Sequence, residues 1–90
     1  MLKTLEDLIN IIRNRKNSSP DKSYTKKLLE DKSLSTEKVK EEISELIEAV
    51  ENNTNKIHEA ADVLYHLIVY LEANGIKIED VIEELEKRKK

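Results

Sequence analysis

The chain has 90 residues, of which 38% are apolar and 39% charged, with a net charge of −3 and no cysteine. This length predicts one domain, residues 1–90, and the acidic balance argues against nucleic acid as the main partner, because the chain has no strong net positive charge. The lack of cysteine excludes disulfides and thiolate zinc sites. No apolar run reaches the ~18 residues that span a bilayer. The start is unlike a signal peptide, so we expect a cytoplasmic protein without membrane partners.

The first third of the chain predicts two helices separated by a loop. Apolar residues recur at helical spacing from Leu2 to Ile12, with Thr4 as the expected cap. The pattern stops at residues 17–21, which are rich in Asn, Ser and Pro. A short helix is expected to follow from Ser23 to about Leu29.

The next predicted helix follows a polar break at residues 32–35, and Ser35 or Thr36 is expected to cap it. Its apolar residues share one face of an amphipathic helix. That face consists of Val39, Ile43, Leu46, Ile47 and Val50.

A short Asn-rich turn at residues 52–55 separates this helix from the next, so the two are expected to be antiparallel neighbours. The second of them, residues 57–71, is apolar around most of its circumference and should be buried. It is expected to end at Asn74–Gly75, before a last helix that spans Ile78 to Leu85. The sequence therefore predicts an all-α bundle of four to five helices. A central helix that needs burial on every side is hard to satisfy in so small a monomer, which favours a homodimer.

Two matched acidic pairs, Glu42 with Glu45 and Glu59 with Asp62, lie in these two neighbouring helices. Residues three apart share a helix face, so each helix can direct two carboxylates at one place. Glu41 offers the first pair a second register with Glu45. Four carboxylates suit a hard cation, Mg²⁺ or alternatively Mn²⁺.

The second pair is the more informative one. Charged pairs on helices are commonly solvated, but Glu59 and Asp62 occupy the narrow polar stripe of an apolar helix, where a charge needs a partner. His66 shares that stripe, and we expect it to hold the Asp62 carboxylate by a hydrogen bond. His58 faces elsewhere on the helical wheel and is expected to have no role.

Basic residues precede both the first loop and the first acidic pair. Arg13, Arg15 and Lys16 either compensate the helix dipole or bind phosphate, and Lys38 and Lys40 are similar candidates. The single glycine, Gly75, excludes a glycine-rich phosphate loop. Any phosphate must therefore be bound by metal and basic side chains.

These motifs together resemble the phosphoribosyl-ATP pyrophosphohydrolase family, within the all-α nucleoside triphosphate pyrophosphohydrolase (MazG-like) superfamily. The acidic motifs are shared with the whole superfamily, whereas Ser23-Tyr24-Thr25 and Tyr65-His66 single out the histidine-pathway family. Order and spacing agree from about residue 5 to residue 88. Lys40 stands where family members usually have glycine.

The resemblance implies Mg²⁺-dependent hydrolysis of phosphoribosyl-ATP to phosphoribosyl-AMP and pyrophosphate, the second step of histidine biosynthesis. It implies metal binding by Glu42, Glu45, Glu59 and Asp62, with Glu41 or Glu45 as the base. The alternatives are a MazG-like enzyme of other substrate specificity and a non-catalytic helical dimerisation module. The implied substrate-binding residues are Arg15, Lys16, Ser23, Tyr24, Thr25, Lys38 and His66.

Overall fold

A computed structural model describes residues 2–19 and 23–89 of the chain. Within those ranges the protein is all-helical and has five α-helices, which confirms the predicted fold class. The predicted loop residues Pro20 and Asp21 lie outside the described ranges. The elements are α1 (Leu2–Asn14), a 3₁₀ turn (Arg15–Asn17), α2 (Tyr24–Glu30), α3 (Lys32–Asn52), α4 (Lys56–Ala73) and α5 (Ile78–Lys87).

Helix α3 begins earlier than the sequence patterns predicted. The Asp31 side chain accepts a hydrogen bond from the backbone N–H of Leu34, at 3.0 Å, and so caps the helix. The predicted cap at Ser35 or Thr36 is therefore wrong. Ser35 is buried within the helix, and the Thr36 hydroxyl donates to the carbonyl of Lys32. Aspartate is also a strong helix cap. It was overlooked because Ser35 and Thr36 are capping residue types as well.

Other predicted helix ends have mixed outcomes. Ser23 caps α2, and its side chain accepts from the backbone N–H of Lys26. Thr4 lies inside α1 and does not cap it, because that helix begins at Leu2. Gly75 adopts the left-handed conformation with φ of 71°, as expected of a residue that ends α4.

The turn between α3 and α4 is as short as the sequence indicated. Asn53 and Asn55 adopt left-handed conformations with φ of 55° and 42°, which asparagine tolerates better than most residues. The turn reverses the chain, so α3 and α4 pack along each other as the predicted antiparallel pair.

Helix α4 is the centre of the fold, since α1, α2, α3 and α5 all pack against it. Its C-terminal half supplies Ile68 and Val69 to the main core, while its N-terminal half carries Glu59 and Asp62. The acidic residues are thereby anchored by a packed helix without lying in the core itself. The buried core residues are Ile9, Ile12, Leu28, Ile68 and Val69.

Helices α3 and α4 also carry apolar side chains that this single chain leaves exposed, and Ile57 is 88% exposed. The prediction that residues 57–71 are buried all round therefore does not hold within one copy of the chain. None of the described helices combines the length and apolar character needed to cross a bilayer. The exposed apolar residues on α3 and α4 are Ile43, Ile47, Val50, Ile57, Leu64 and Leu67.

Candidate metal and nucleotide site

Carboxylates from two helices converge where α3 packs against α4. Glu42 and Glu45 project from α3, and Glu59 projects from the first turn of α4. One carboxylate oxygen from each of these three residues lies within 4.8 Å of the others. A second group, formed by Glu59, Asp62 and His58, satisfies the same distance. Glu59 is common to both groups and so connects the two predicted pairs, whereas Asp62 belongs only to the second group.

The cluster contains carboxylate oxygens that the protein does not satisfy. Among the described residues, Glu42 Oε2 and Glu59 Oε2 are buried without a hydrogen-bond partner. Burial raises the pKa of Glu42, the neighbouring Glu45 and Asp62 carboxylates raise it further, and His66 lowers it. Unsatisfied buried oxygens and mutual repulsion are both relieved by a cation, so this donor set fits Mg²⁺ or Mn²⁺.

His58, which the helical wheel placed away from the site, lies beside it. Its Nε2 is 3.4 Å from Asp62 Oδ2, and the imidazole is largely exposed. The expectation that it faces away from the acidic residues is therefore wrong. The missed signal was its spacing of four residues from Asp62, which places both side chains on one helix face.

Glu41 does not join the converging carboxylates. It accepts a hydrogen bond from Lys38 Nζ at 3.4 Å, and this bond raises the pKa of the lysine. Glu41 and Lys38 thus form an exposed pair at the edge of the acidic cluster. Burial raises the pKa of Tyr24 on α2, and the charge of Lys38 acts electrostatically to lower it.

His66 contacts Asp62 in a way that the sequence did not predict. Its Nδ1 is 2.9 Å from the main-chain carbonyl oxygen of Asp62, one turn earlier, and not from the carboxylate. Its Nε2 is 3.3 Å from the Tyr24 hydroxyl. The expected bond to the Asp62 side chain is therefore replaced by a bridge from the α4 backbone to α2.

A cleft of about 490 Å³ lies at the junction of the 3₁₀ turn and α2, and it contains the predicted Ser-Tyr-Thr segment. Hydroxyl groups and one guanidinium line it, a composition suited to phosphate. The lining residues are Arg15, Ser18, Ser19, Ser23, Tyr24 and Thr25.

Lys16 lines a different cleft and has an acidic partner. Its Nζ is 3.2 Å from Glu72, whose side chain is only 7% exposed. Arg13 reaches the same Glu72 at 3.2 Å and Glu79 at 2.6 Å. These bonds join the C-terminal end of α1 and the 3₁₀ turn to α4 and α5. Of Arg13, Arg15 and Lys16, it is Arg15 that lines the Ser-Tyr-Thr cleft.

Comparison with known proteins finds one family by both a family model and individual relatives. Residues 5–89 match the family model described as phosphoribosyl-ATP pyrophosphohydrolase. The chain is 47% identical to a phosphoribosyl-ATP pyrophosphatase of Methylobacterium nodulans, over 94% of this chain and 82% of that protein. It is 44% identical to the enzyme of the same name from Clostridium novyi, over 96% of this chain and 81% of the relative.

A plant relative is longer. The chain is 43% identical to the histidine biosynthesis bifunctional protein hisIE, chloroplastic, of Arabidopsis thaliana, over 97% of this chain but 34% of that protein. No solved structure matches the chain. The family match covers nearly all of the sequence and includes every acidic residue described above. This chain belongs to the phosphoribosyl-ATP pyrophosphohydrolase family.

Proposed function

We propose that this protein hydrolyses phosphoribosyl-ATP to phosphoribosyl-AMP and pyrophosphate, the second step of histidine biosynthesis. The observation that carries the proposal is the convergence of Glu42, Glu45 and Glu59 from two helices, with two buried oxygens lacking partners among the described residues. Family membership supports the choice of substrate.

The cation in this proposal is Mg²⁺, with Mn²⁺ as the alternative, because the four proposed ligands all offer carboxylate oxygens. Glu42, Glu45, Glu59 and Asp62 would hold it. When bound, it supplies positive charge that neutralises the phosphate oxygens and lowers the pKa of a water molecule.

The chain itself contributes the acceptor for a proton. Water attacks the α-phosphorus, the bond from this phosphorus to the bridging α–β oxygen breaks, and pyrophosphate leaves with that oxygen. The proton of the attacking water passes to a carboxylate, either Glu41 or Glu45. Glu45 belongs to the converging group, whereas Glu41 lies outside it and pairs with Lys38.

Conversion of each glutamate to glutamine separates the two roles. A ligand variant should lose both turnover and stabilisation by Mg²⁺, whereas a base variant should lose turnover and keep the stabilisation. We expect Glu45→Gln to behave as a ligand variant and Glu41→Gln as a base variant. The opposite result would exchange their roles.

Phosphate binding is proposed for Arg15, which lines the Ser-Tyr-Thr cleft, and for Lys38, which acts electrostatically on Tyr24. Arg15 offers a fork of N–H donors, and Lys38 a point charge beside the acidic cluster. Ser23 Oγ accepts from Lys26 N, so its own proton is available for a phosphate oxygen. Lys16 is the weaker candidate, since it binds substrate only by releasing Glu72.

We also propose that a second copy of this chain covers the exposed apolar residues of α3 and α4. Three of these residues, Ile43, Ile47 and Val50, follow a single stripe of α3. A monomer that exposes so much apolar surface on its central helix pair is poorly stabilised, and a two-fold partner presents the same surface in return. The acidic cluster lies on the same two helices, so the active protein is a homodimer in this proposal.

The test of the proposed reaction is pyrophosphate release from phosphoribosyl-ATP with and without Mg²⁺. We expect release that depends on the metal and is faster than release from any ordinary deoxynucleoside triphosphate. Faster hydrolysis of deoxynucleoside triphosphates would assign the site to a different substrate. No hydrolysis of any of these nucleotides would contradict an enzymatic role.

A further inference from the structure

The N-terminal end of α2 is fastened to α4 by polar contacts and not by apolar burial. Helix α2 has seven residues, and its fully buried side chain, Leu28, lies in its second half. At its first turn, Tyr24 is 48% exposed. So short a helix has little stability of its own, and therefore the contacts of its first turn decide where that turn lies.

Two hydrogen bonds join that first turn to consecutive residues of α4. The Tyr24 hydroxyl lies 3.3 Å from His66 Nε2, and Thr25 Oγ1 hydrogen-bonds to the Tyr65 hydroxyl. The ring planes of Tyr65 and His66 are perpendicular, with centroids 4.9 Å apart, so each ring restrains the other. We name this group of four residues the α2–α4 latch.

The direction of the bond between Tyr24 and His66 follows from the bond to Asp62. A carbonyl oxygen only accepts, so the Nδ1–H of His66 donates to the Asp62 carbonyl at 2.9 Å. When the ring is neutral, Nε2 is the acceptor and the Tyr24 hydroxyl donates to it. In that state the Tyr24 proton is used within the protein and does not reach a phosphate.

The latch lies between the two parts of the site. Tyr24 and Thr25 line the cleft that contains Arg15. On the other side, His66 joins the Tyr24 hydroxyl to the main chain of Asp62, a proposed metal ligand, and the carboxylates of Glu42 and Glu41 act electrostatically on Tyr24. A shift of the first turn of α2 would therefore change the distance between the phosphate cleft and the metal ligands.

We propose that His66 and Tyr65 are positioning residues that hold the Ser-Tyr-Thr segment in place. The cleft beside Arg15 can then bind a phosphate group of the substrate. His66 itself touches neither substrate nor metal. This rests on the proposed function, which it deepens by assigning two residues of α4 to substrate binding through α2. The residues that meet the phosphate are then Arg15 and the hydroxyl of Ser23.

The test is a double-mutant cycle with Tyr24→Phe and His66→Leu, assayed on phosphoribosyl-ATP. Loss of one hydrogen bond should raise KM about 3- to 10-fold and change kcat little. Because both variants break the same bond, the double variant should show the KM of one single variant and not the product of the two effects. His66→Gln keeps a hydrogen-bonding group and should recover part of the loss. Tyr70→Phe, a tyrosine of α4 outside the latch, is the matched control and should leave KM unchanged.

Multiplying effects in the double variant, or a fall in kcat instead of a rise in KM, would show that His66 acts directly on substrate or metal and would overturn the proposal. Unchanged KM in both single variants would overturn it too. If His66→Leu does not fold, the pair Thr25→Val and Tyr65→Phe provides the same cycle on the second hydrogen bond.

Amide hydrogen exchange in the absence of substrate separates this proposal from the proposed reaction. Tyr24→Phe and His66→Leu should speed exchange in α2 and leave α5 unchanged. Equal exchange in variant and wild-type α2 would contradict the latch even if the enzyme is active. An inactive wild-type protein with faster exchange in the variants would instead contradict the proposed function and leave the latch intact.

Discussion

Glu42 of α3 and Glu59 of α4 bring carboxylate oxygens within 4.8 Å of each other, and each residue buries one oxygen without a partner in the described part of the chain. Neither residue alone is unusual in a protein with 39% charged residues. Their approach is unfavourable without a cation, because like charges repel and buried oxygens lose their water. The two helices are packed in an arrangement that a bound cation would stabilise.

The first prediction concerns Glu59→Gln, which removes the carboxylate shared by the two groups of candidate ligands. We expect turnover to be abolished and the metal-free protein to be at least as stable as the wild type, since one repelling charge is gone. At a Mg²⁺ concentration 100 times the dissociation constant, wild-type protein should gain about 2.7 kcal/mol of unfolding free energy. The variant should gain far less, as measured by thermal unfolding with and without the metal.

The control for this prediction is Glu48→Gln, an exposed glutamate of α3 outside the cluster. It should respond to Mg²⁺ as the wild type does. A Glu59→Gln protein that keeps full Mg²⁺ stabilisation would show that the cation binds elsewhere.

The second prediction concerns pH. Burial and neighbouring carboxylates raise the pKa of Glu42 above its ordinary 4.5. Between pH 4.5 and the raised pKa of Glu42, the folded protein binds more protons than the unfolded chain. The contribution of Glu42 to stability therefore falls as pH rises through this range. The cation competes with the same proton, and therefore Mg²⁺ affinity should increase with pH there.

Titration calorimetry in two buffers of different ionisation enthalpy measures the proton released on metal binding. We expect release near the raised pKa of Glu42 and none from that group well above it. Glu42→Gln should abolish this part of the pH dependence of metal-free stability. A variant whose pH profile matches the wild type would exclude Glu42 as the responsible group.

A third prediction concerns His58, whose imidazole lies 3.4 Å from Asp62. Imidazole is a poor ligand for Mg²⁺ and a better one for Mn²⁺ or Zn²⁺. If His58 is a ligand, His58→Gln should weaken Mn²⁺ binding about tenfold and Mg²⁺ binding much less. An equal loss of affinity for both metals would instead show that His58 orients the Asp62 carboxylate. Unchanged affinity for both metals would exclude both the ligand role and the orienting role.

The sequence predicted an all-α bundle of four to five helices, because apolar spacing and the Asn-rich turn are local signals. It also predicted that the two acidic pairs meet, since a turn as short as 52–55 leaves neighbouring helices no other arrangement. It could not predict that His66 bonds to a main-chain carbonyl and to Tyr24. That contact depends on the position of α2, which is separated from α4 by more than twenty residues of chain.

Residue-level roles among the cations were equally beyond sequence reasoning. Arg13, at the end of α1, and Arg15 and Lys16, in the 3₁₀ turn that follows, are close in the sequence and all carry positive charge. Only the packing of α4 and α5 brings Glu72 and Glu79 to two of them and leaves Arg15 in the cleft.

The fourth prediction concerns that ion-pair network. Glu72 is nearly buried and meets both Arg13 and Lys16, so Glu72→Gln should cost about 1–3 kcal/mol of unfolding free energy. Glu79 is exposed and should matter less at neutral pH. The hydrogen bond from Arg13 lowers the pKa of Glu79 from 4.5 to about 2, so its contribution is present above pH 4.5 and is lost as pH falls toward 2. Urea unfolding of Glu72→Gln and Glu79→Gln between pH 7 and pH 3 tests this order. An equal loss of unfolding free energy in the two variants would contradict it.

The last prediction concerns the exposed apolar surface of α3 and α4. Ile47 and Leu64 are more than half exposed in the single chain, at 55% and 52%, so Ile47→Lys and Leu64→Lys should leave the folded protomer intact. In a dimer that buries these side chains, either lysine would place a charge in an apolar interface and dissociate it. Ile82→Lys on α5, where the side chain is 54% exposed, is the matched control and should not change assembly. Sedimentation velocity should find dimers of the wild type and the control, and monomers of the other two. A wild-type protein that is monomeric and still hydrolyses phosphoribosyl-ATP would contradict the proposal that the active protein is a homodimer.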